Sequence, residues 1–424
     1  MTVHDLNSRD TSPQKLRTVL LYLAAAIAAF LITVSHRPDA MLNPQFWAED
    51  GKMWYQQAYN SGVIVSLFTP EAGYFQSISR LVAGIAQLVP FAYAPFIFNF
   101  AAISVKVAVV LFILSSRLSK AVPSIWARGL LAFIYLALPH SFETTANLTN
   151  AQWHLALLSF LIIIAVPSER MAWRIFDIVA IALSAFSGPF CLLLVPVALI
   201  RFFVTRERRL VPLIVILLTA SAVQITSLLF FERPSKQPLG AEPGLFFRIV
   251  GGHLFFDSIF GDKNYGRLIK LGWWNDISAV VVCVAGFAVM VYSFFKASLE
   301  LRLLIFFAGL IVGSALVSPA VTSEMPQWQA MVMPIAGSRY WMIPMLCCFA
   351  CLMTIAVTSE IRIMKFLSIF VLLLSLIGIV ADWKHPRFVD LKFAEHAARF
   401  EEAPSGQEVV IPINPNWEMQ LVKK

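Results

Sequence analysis

Two adjacent carboxylates, Glu49 and Asp50, stand between the aromatic pair Phe46-Trp47 and Gly51, with Glu71-Ala72-Gly73-Tyr74 a short way on. A carboxylate held partly out of water beside a hydroxyl can act as a general base, and the same pair could instead bind a divalent cation. Neighbours on a helix point about 100° apart, so the two are expected to face different partners. The plainer alternative is that both acids decorate a helix N-terminus, where negative charge is favoured. A second group is Glu143, Asn147, Asn150, Gln152, Trp153 and His154. Amides, an indole and an imidazole suit sugar recognition, since hydroxyls need both donors and acceptors. Its alternative is a polar loop with Trp153 as an interfacial anchor and His154 in water; the Asn147-Leu148-Thr149 sequon is a frequent chance match. A third group is Gly337-Ser338-Arg339-Tyr340-Trp341. The planar fork of Arg339 can grip a phosphate, or it can simply snorkel from a helix end. Arg80, Lys263, Arg267 and Lys270 are weaker versions of the same idea. Nothing matches a P-loop, a dinucleotide fingerprint, a zinc-protease helix or a serine nucleophile elbow, which argues against a nucleotide-driven pump or a cytoplasmic nucleotide-sugar enzyme.

The elements that must position these residues are membrane elements. The chain of 424 residues is 58% hydrophobic and only 14% charged, against about 25% charged in a soluble domain. Its net charge of +8 falls largely in short clusters between apolar runs, such as Arg117/Lys120, Arg170/Arg174, Arg201 with Arg206/Arg208/Arg209, Lys296/Arg302 and Arg362/Lys365. That is the placement of a positive-inside bias, not of a nucleic-acid surface. Cys191, Cys283, Cys347, Cys348 and Cys351 all lie in apolar runs and read as packing residues, not a disulfide framework. The start of the chain is polar and carries no cleavable signal pattern; the run from Thr18 is long enough to span by itself.

Candidate spans are 18–35, 91–114, 123–139, 152–167, 175–187, 190–203, 210–230, 276–295, 303–320, 341–357 and 366–381. With Lys15 and Arg17 cytoplasmic, the basic clusters fall inside and the long segments 36–90, 140–151, 231–275, 321–340 and 382–424 outside. The stretch 175–203 reads as two short helices meeting at Ser187-Gly188-Pro189, the alternative being one tilted span that inverts everything after it. The expectation is an all-α polytopic membrane protein of about eleven transmembrane helices. Its first outer loop carries interfacial helices over Glu49–Tyr59 and Phe75–Leu88. A transmembrane domain over 1–381 is followed by a small external segment, 382–424, in which Val409–Ile413, Asn414-Pro415-Asn416 and Trp417–Leu421 read as strand, turn and strand.

An acidic motif in a long first outer loop (Trp47-Ala48-Glu49-Asp50), interfacial helices in that loop, and a span count near eleven with a small external C-terminal element resemble the GT-C superfamily of membrane glycosyltransferases. The stretches at 337–341 and 411–417 also look like those of bacterial membrane proteins of this type. The large soluble outer domain of the oligosaccharyltransferase branch is missing, which removes the ground for a protein-glycosylating role. The resemblance implies a bacterial inner-membrane enzyme with its N-terminus cytoplasmic and its C-terminus external. It would move a sugar from a polyprenyl-phosphate donor to a glycan or lipid acceptor, with inversion, and have no nucleic-acid partner. Asp50, with Glu49 as the other candidate, would be the general base, and the same pair would hold a divalent cation if one is used. Arg339, with Arg80, Lys263 and Arg267, would bind the donor phosphate; Trp47, Tyr74, Asn150, Trp153, His154 and Tyr340 would line the sugar or acceptor side. Two rivals remain. One is a lipid-linked sugar flippase or another transporter, favoured by Lys106 within an apolar run. The other is an O-antigen-type polymerase or ligase relying on Arg233, Arg248 and Arg267.

Overall fold

A computed structural model of the chain describes residues 12–231 and 237–424; Arg233 lies outside the described residues. All eleven apolar runs coincide with helices: α1 (Ser12–His36), α2 (Ala94–Leu114), α3 (Ile125–Ala137), α4 (Ala151–Ile164), α5 (Met171–Ala185), α6 (Phe190–Thr205), α7 (Leu210–Phe230), α8 (Asp276–Lys296), α9 (Leu299–Val317), α10 (Met342–Thr358) and α11 (Arg362–Asp382). In hydrocarbon a spanning backbone must satisfy its own polar groups, and the helix does so within one segment. Seven segments, those of α1, α2 and α7 to α11, are long and apolar enough to cross a membrane. The expected count of eleven is not reached on that measure. Helices α3 to α6 have only 13, 14, 15 and 16 residues, about 20–24 Å against a hydrocarbon core of about 30 Å.

Contacts sort the helices between two ends. At one end Arg117 pairs with Asp177, its Nη2 donating to Oδ2 at 2.8 Å, Arg201 pairs with Glu300 and Glu207, and Arg209 reaches the carbonyls of Ile162, Ile163 and Ala165. This is the basic end. At the opposite end the turn between α5 and α6 is tied down: Phe186 O accepts from Ser77 N, Ser187 Oγ accepts from Ile78 N at 2.9 Å, and Gln224 Nε2 donates to the carbonyls of Ala185 and Gly188. The stretch 175–203 is therefore a hairpin of two short helices. Gly188 makes its turn at φ +146°, where a Cβ would lie 2.0 Å from Gln152 Oε1. Helix α4 is buried at every position, as a helix apolar all round must be, and forms the axis of the bundle. The outward faces of α1, α8 and α11 expose Leu20, Ile27, Leu31, Val281, Val291, Phe366 and Leu373.

The end opposite the basic clusters carries the long connections. A π-helical turn (Asp50–Tyr55) runs into the Gln56–Ser61 helix, and an amphipathic Ser77–Ala86 helix follows. Ile78 and Val82 of the latter are buried while Leu81, Ile85 and Leu88 stay exposed. The tail folds back here. Strands β1 (Glu408–Ile413) and β2 (Trp417–Val422) pair antiparallel, and Asn414 bridges to Trp47, accepting from Ala48 N and donating to Phe46 O. Phe393, Phe400, Ile411, Ile413, Met419 and Leu421 share one apolar cluster with Phe46, Trp54, Tyr55 and Phe98. The tail is thus packed into the first long segment rather than standing apart from it.

Candidate active site

The turn that starts at Asp50 separates the two adjacent acids. Asp50 is 1% exposed and points at the loop before α4: Oδ2 accepts from Leu148 N at 3.0 Å, and Oδ1 accepts from Thr149 N at 2.9 Å and Thr149 Oγ1 at 2.8 Å. Trp54 Nε1 donates to the same hydroxyl at 2.8 Å. Burial pushes the Asp50 carboxyl up to about 7, with the three donors opposing. Glu49 is half-buried and lies within the electrostatic reach of Arg339, Glu143 and Glu71. Burial raises its carboxyl above the usual carboxylate range, Arg339 opposes, and the two acids add to the rise. The two carboxylates therefore have different surroundings, Asp50 facing the loop before α4 and Glu49 lying within reach of Arg339, Glu143 and Glu71.

Arg339, at the entry to α10, is gripped by Glu143. Nη1 donates to Oε1 at 2.9 Å and the backbone N to Oε2 at 3.0 Å, and Nη2 donates to Ala320 O. The guanidinium also lies over the Tyr340 ring, 4.8 Å from its centroid. Arg339, Tyr340, Tyr74, Gln152 and Trp153 line a cavity of about 500 Å³ together with Leu192, Leu193, Leu228, Ala315 and Val317 of α6, α7 and α9. Trp153 packs edge-on to Phe190 and Tyr340, and its buried Nε1 has no hydrogen-bond partner. The cavity lining thus brings together apolar side chains of three helices, a cation and four rings, those of Tyr74, Trp153, Phe190 and Tyr340.

Five residues singled out from the sequence converge here: Arg339, Tyr74, Gln152, Trp153 and Tyr340. The others do not line this cavity. His154 lies within buried α4, Nδ1 facing Tyr135 OH at 2.7 Å and Nε2 facing Thr144 O at 2.8 Å. Asn150 donates to Glu143 O and holds the turn carrying that acid. Trp47 packs against Phe142 and Phe388 beside Arg37. Lys263 Nζ caps the carbonyls of Ala381 and Lys384, and Arg267 pairs with Asn264 on an exposed helix. Arg80 is buried over the Trp54 ring, its three guanidinium nitrogens without hydrogen-bond partners. Of the residues weighed for the rival readings, Lys106 is buried 5.8 Å from the Tyr135 ring centroid, and Arg248 pairs with Asp276.

Sequence reading missed a second cluster. His140, His253, Asp257 and Asp262 are all buried, and one donor atom from each lies within 4.8 Å of the others. The only local signal was His253 and Asp257 at helical i, i+4 spacing behind Gly251-Gly252; His140 is too distant in the chain for any motif. No protein-family model matches the chain, and no curated protein matches it.

Proposed function

We propose that this chain is a membrane glycosyltransferase of GT-C type, taking a sugar from a polyprenyl-phosphate lipid. The observation that carries the reading is the cavity of about 500 Å³, whose lining combines apolar side chains of α6, α7 and α9 with Arg339, Tyr340, Tyr74 and Trp153. Its chemistry matches one ligand class: a lipid tail between helices, a phosphate on an arginine fork, and a sugar against aromatic faces. In this reading all eleven helices cross: of the short ones α4 is enclosed by protein, while α3, α5 and α6 each keep an apolar face exposed, at Trp126, Ile175 and Phe203 among others. The basic end is cytoplasmic by the positive-inside rule, which puts the cavity and the C-terminus at the outer face; the resemblance to GT-C enzymes implies that the membrane is a bacterial inner membrane. The interfacial helices rest their exposed Leu81, Ile85 and Leu88 in the outer leaflet.

The roles of the two acids divide. Glu49, half-buried and with a raised carboxyl, takes the proton of the acceptor hydroxyl as its oxygen attacks the anomeric carbon. The bond from that carbon to the phosphate oxygen breaks on the opposite face, inverting the centre. The charge arriving on the phosphate is met by Arg339, held in place by Glu143. Asp50 positions the loop before α4. The acceptor is a glycan or a lipid. Inner-membrane vesicles given polyprenyl-phosphate sugars test this: Glu49→Gln should fold as wild type and lose at least 100-fold in transfer. Lipid translocation without transfer in wild type, unaffected by Glu49→Gln, would replace the transferase with a flippase.

A further inference from the structure

We propose that His140, His253, Asp257 and Asp262 form a closed structural site for one first-row divalent transition cation, with zinc as the best-matched ion. Three donor pairs are spaced much like ligands around a single ion, and all four donors lie within 4.8 Å of one another, so small side-chain shifts would close the set on one ion. His253 Nδ1 lies 2.9 Å from Asp257 Oδ2, and His140 Nδ1 lies 3.1 Å from Asp262 Oδ1 and 3.7 Å from Asp257 Oδ2. Donors bound at about 2.1 Å to one ion are roughly 3.0–3.4 Å apart at right-angled or tetrahedral positions.

The orientation of His253 points the same way. Its Nε2 lies 2.7 Å from Met331 O, and a carbonyl only accepts, so Nε2 carries the hydrogen. A neutral ring then turns the Nδ1 lone pair toward a carboxylate oxygen, two acceptors face to face, which only a proton or a cation can bridge. A metal-bound imidazole whose other nitrogen donates to a carbonyl is the usual outer-shell arrangement. The carboxylates make the same demand. Asp257 is 0% exposed and its Oδ1 has no hydrogen-bond partner; among the described residues no lysine or arginine forms an ion pair with Asp257 or Asp262. Asp382 backs the site, accepting from His140 N at 3.1 Å and Asp262 N at 2.6 Å.

The donor set and its setting select the ion. Two imidazoles with two carboxylates suit zinc and its neighbours better than calcium or magnesium, which take all-oxygen shells. Four protein donors in a buried pocket leave no open position, the mark of a structural rather than a catalytic site. The ion would clamp the His140 turn, the bend around His253–Asp262 and, through Asp382, the end of α11. Because His140 and Glu143 share one turn and Ile335 N donates to Asp262, the clamp also fixes the loops that carry Glu143 and Arg339. The site does not depend on sugar transfer.

The test uses the full chain in detergent on a tag without histidines. Protein should bring about one equivalent of metal through purification. After chelation, adding zinc should restore that equivalent and raise the apparent melting temperature by about 3–5 °C. Cobalt(II) in its place should give a visible ligand-field spectrum. Asp257→Asn and His253→Gln should each weaken zinc binding at least 10-fold. If either variant fails to fold, chelation and reconstitution of wild type still decide. Wild-type protein that takes up no zinc and melts identically with and without it would overturn the proposal and leave a proton-bridged His–Asp network.

Discussion

Replacing Asp50 by Asn separates the two acids of the WAED motif more sharply than any other change. Asp50 offers acceptors to three donors, Leu148 N on Oδ2 and Thr149 N and Oγ1 on Oδ1. An amide keeps one oxygen. In its best orientation that oxygen retains both Thr149 donors, and the amide nitrogen then faces Leu148 N–H. A buried N–H without a partner costs about 1–3 kcal/mol, so the variant should melt roughly 2–5 °C below wild type. The pH dependence carries a definite sign. The folded carboxyl titrates near 7 because burial raises it above its usual value of 3.8, so folding binds the proton more tightly. Its contribution is full below pH ~4, declines as pH rises toward 7 and is flat above. The penalty of Asp50→Asn should therefore be larger at pH 5 than at pH 8. Thermal unfolding in detergent at the two pH values measures this, alongside transfer per unit of folded protein. A variant that melts like wild type at both pH values yet transfers nothing would make Asp50 the base and refute the division of roles.

Three further outcomes follow from single contacts. Arg339→Lys gives up the fork that serves Glu143 and Ala320 together; transfer should fall at least 10-fold with a raised donor KM, and steady-state kinetics on donor lipid would register it. Gly188→Ala forces a Cβ to 2.0 Å from Gln152 Oε1 at φ +146° and should cost about 2–4 kcal/mol, whereas Gly309→Ala, with nothing within 4 Å, should be neutral or mildly stabilising; melting curves compare them. Asp177→Asn leaves Arg117 buried without its charge partner and should cost about 3–5 kcal/mol, read as loss of folded protein in detergent chromatography.

The fold was legible because hydrocarbon leaves few choices. Each apolar run became a helix, the Ser187-Gly188-Pro189 breaker made the expected hairpin, and the Asn-Pro turn closed the expected strand pair. Helix length was not legible, since the apolar run 155–166 continues past the end of its helix at Ile164, the chain turning at Ala165 where Arg209 caps the carbonyls. The site was legible in part. Arg339, Tyr340, Trp153 and Tyr74 could be chosen by chemistry, and tertiary folding put them together. His154 could not, because its sequence neighbours suggested a polar loop while the helix phase turned it onto Tyr135 and Thr144. The π-helical turn at Asp50–Tyr55 alters the ordinary helical phase, so adjacency alone could not say which acid would be buried. The His–Asp cluster combines residues from far-separated segments and had no local spacing to betray it.

The electrostatics around the cavity also argue for where charge must travel. Glu49 lies within electrostatic reach of Glu71, Glu143 and Arg339, and Glu71 within that of Arg80, so three acids face two arginines and an anionic donor gains little from simple attraction. During the proposed transfer Glu49 becomes neutral as it takes the hydroxyl proton, while the phosphate acquires the charge of the broken bond. Negative charge thus leaves the crowded carboxylate and arrives beside Arg339, whose guanidinium is already held in place by Glu143 and Ala320. The interaction strengthens between ground state and transition state, which is the only kind that accelerates the chemical step. The Glu143 pairing serves the same end: it holds the fork in one orientation before the phosphate needs it, so little reorganisation remains when the bond breaks.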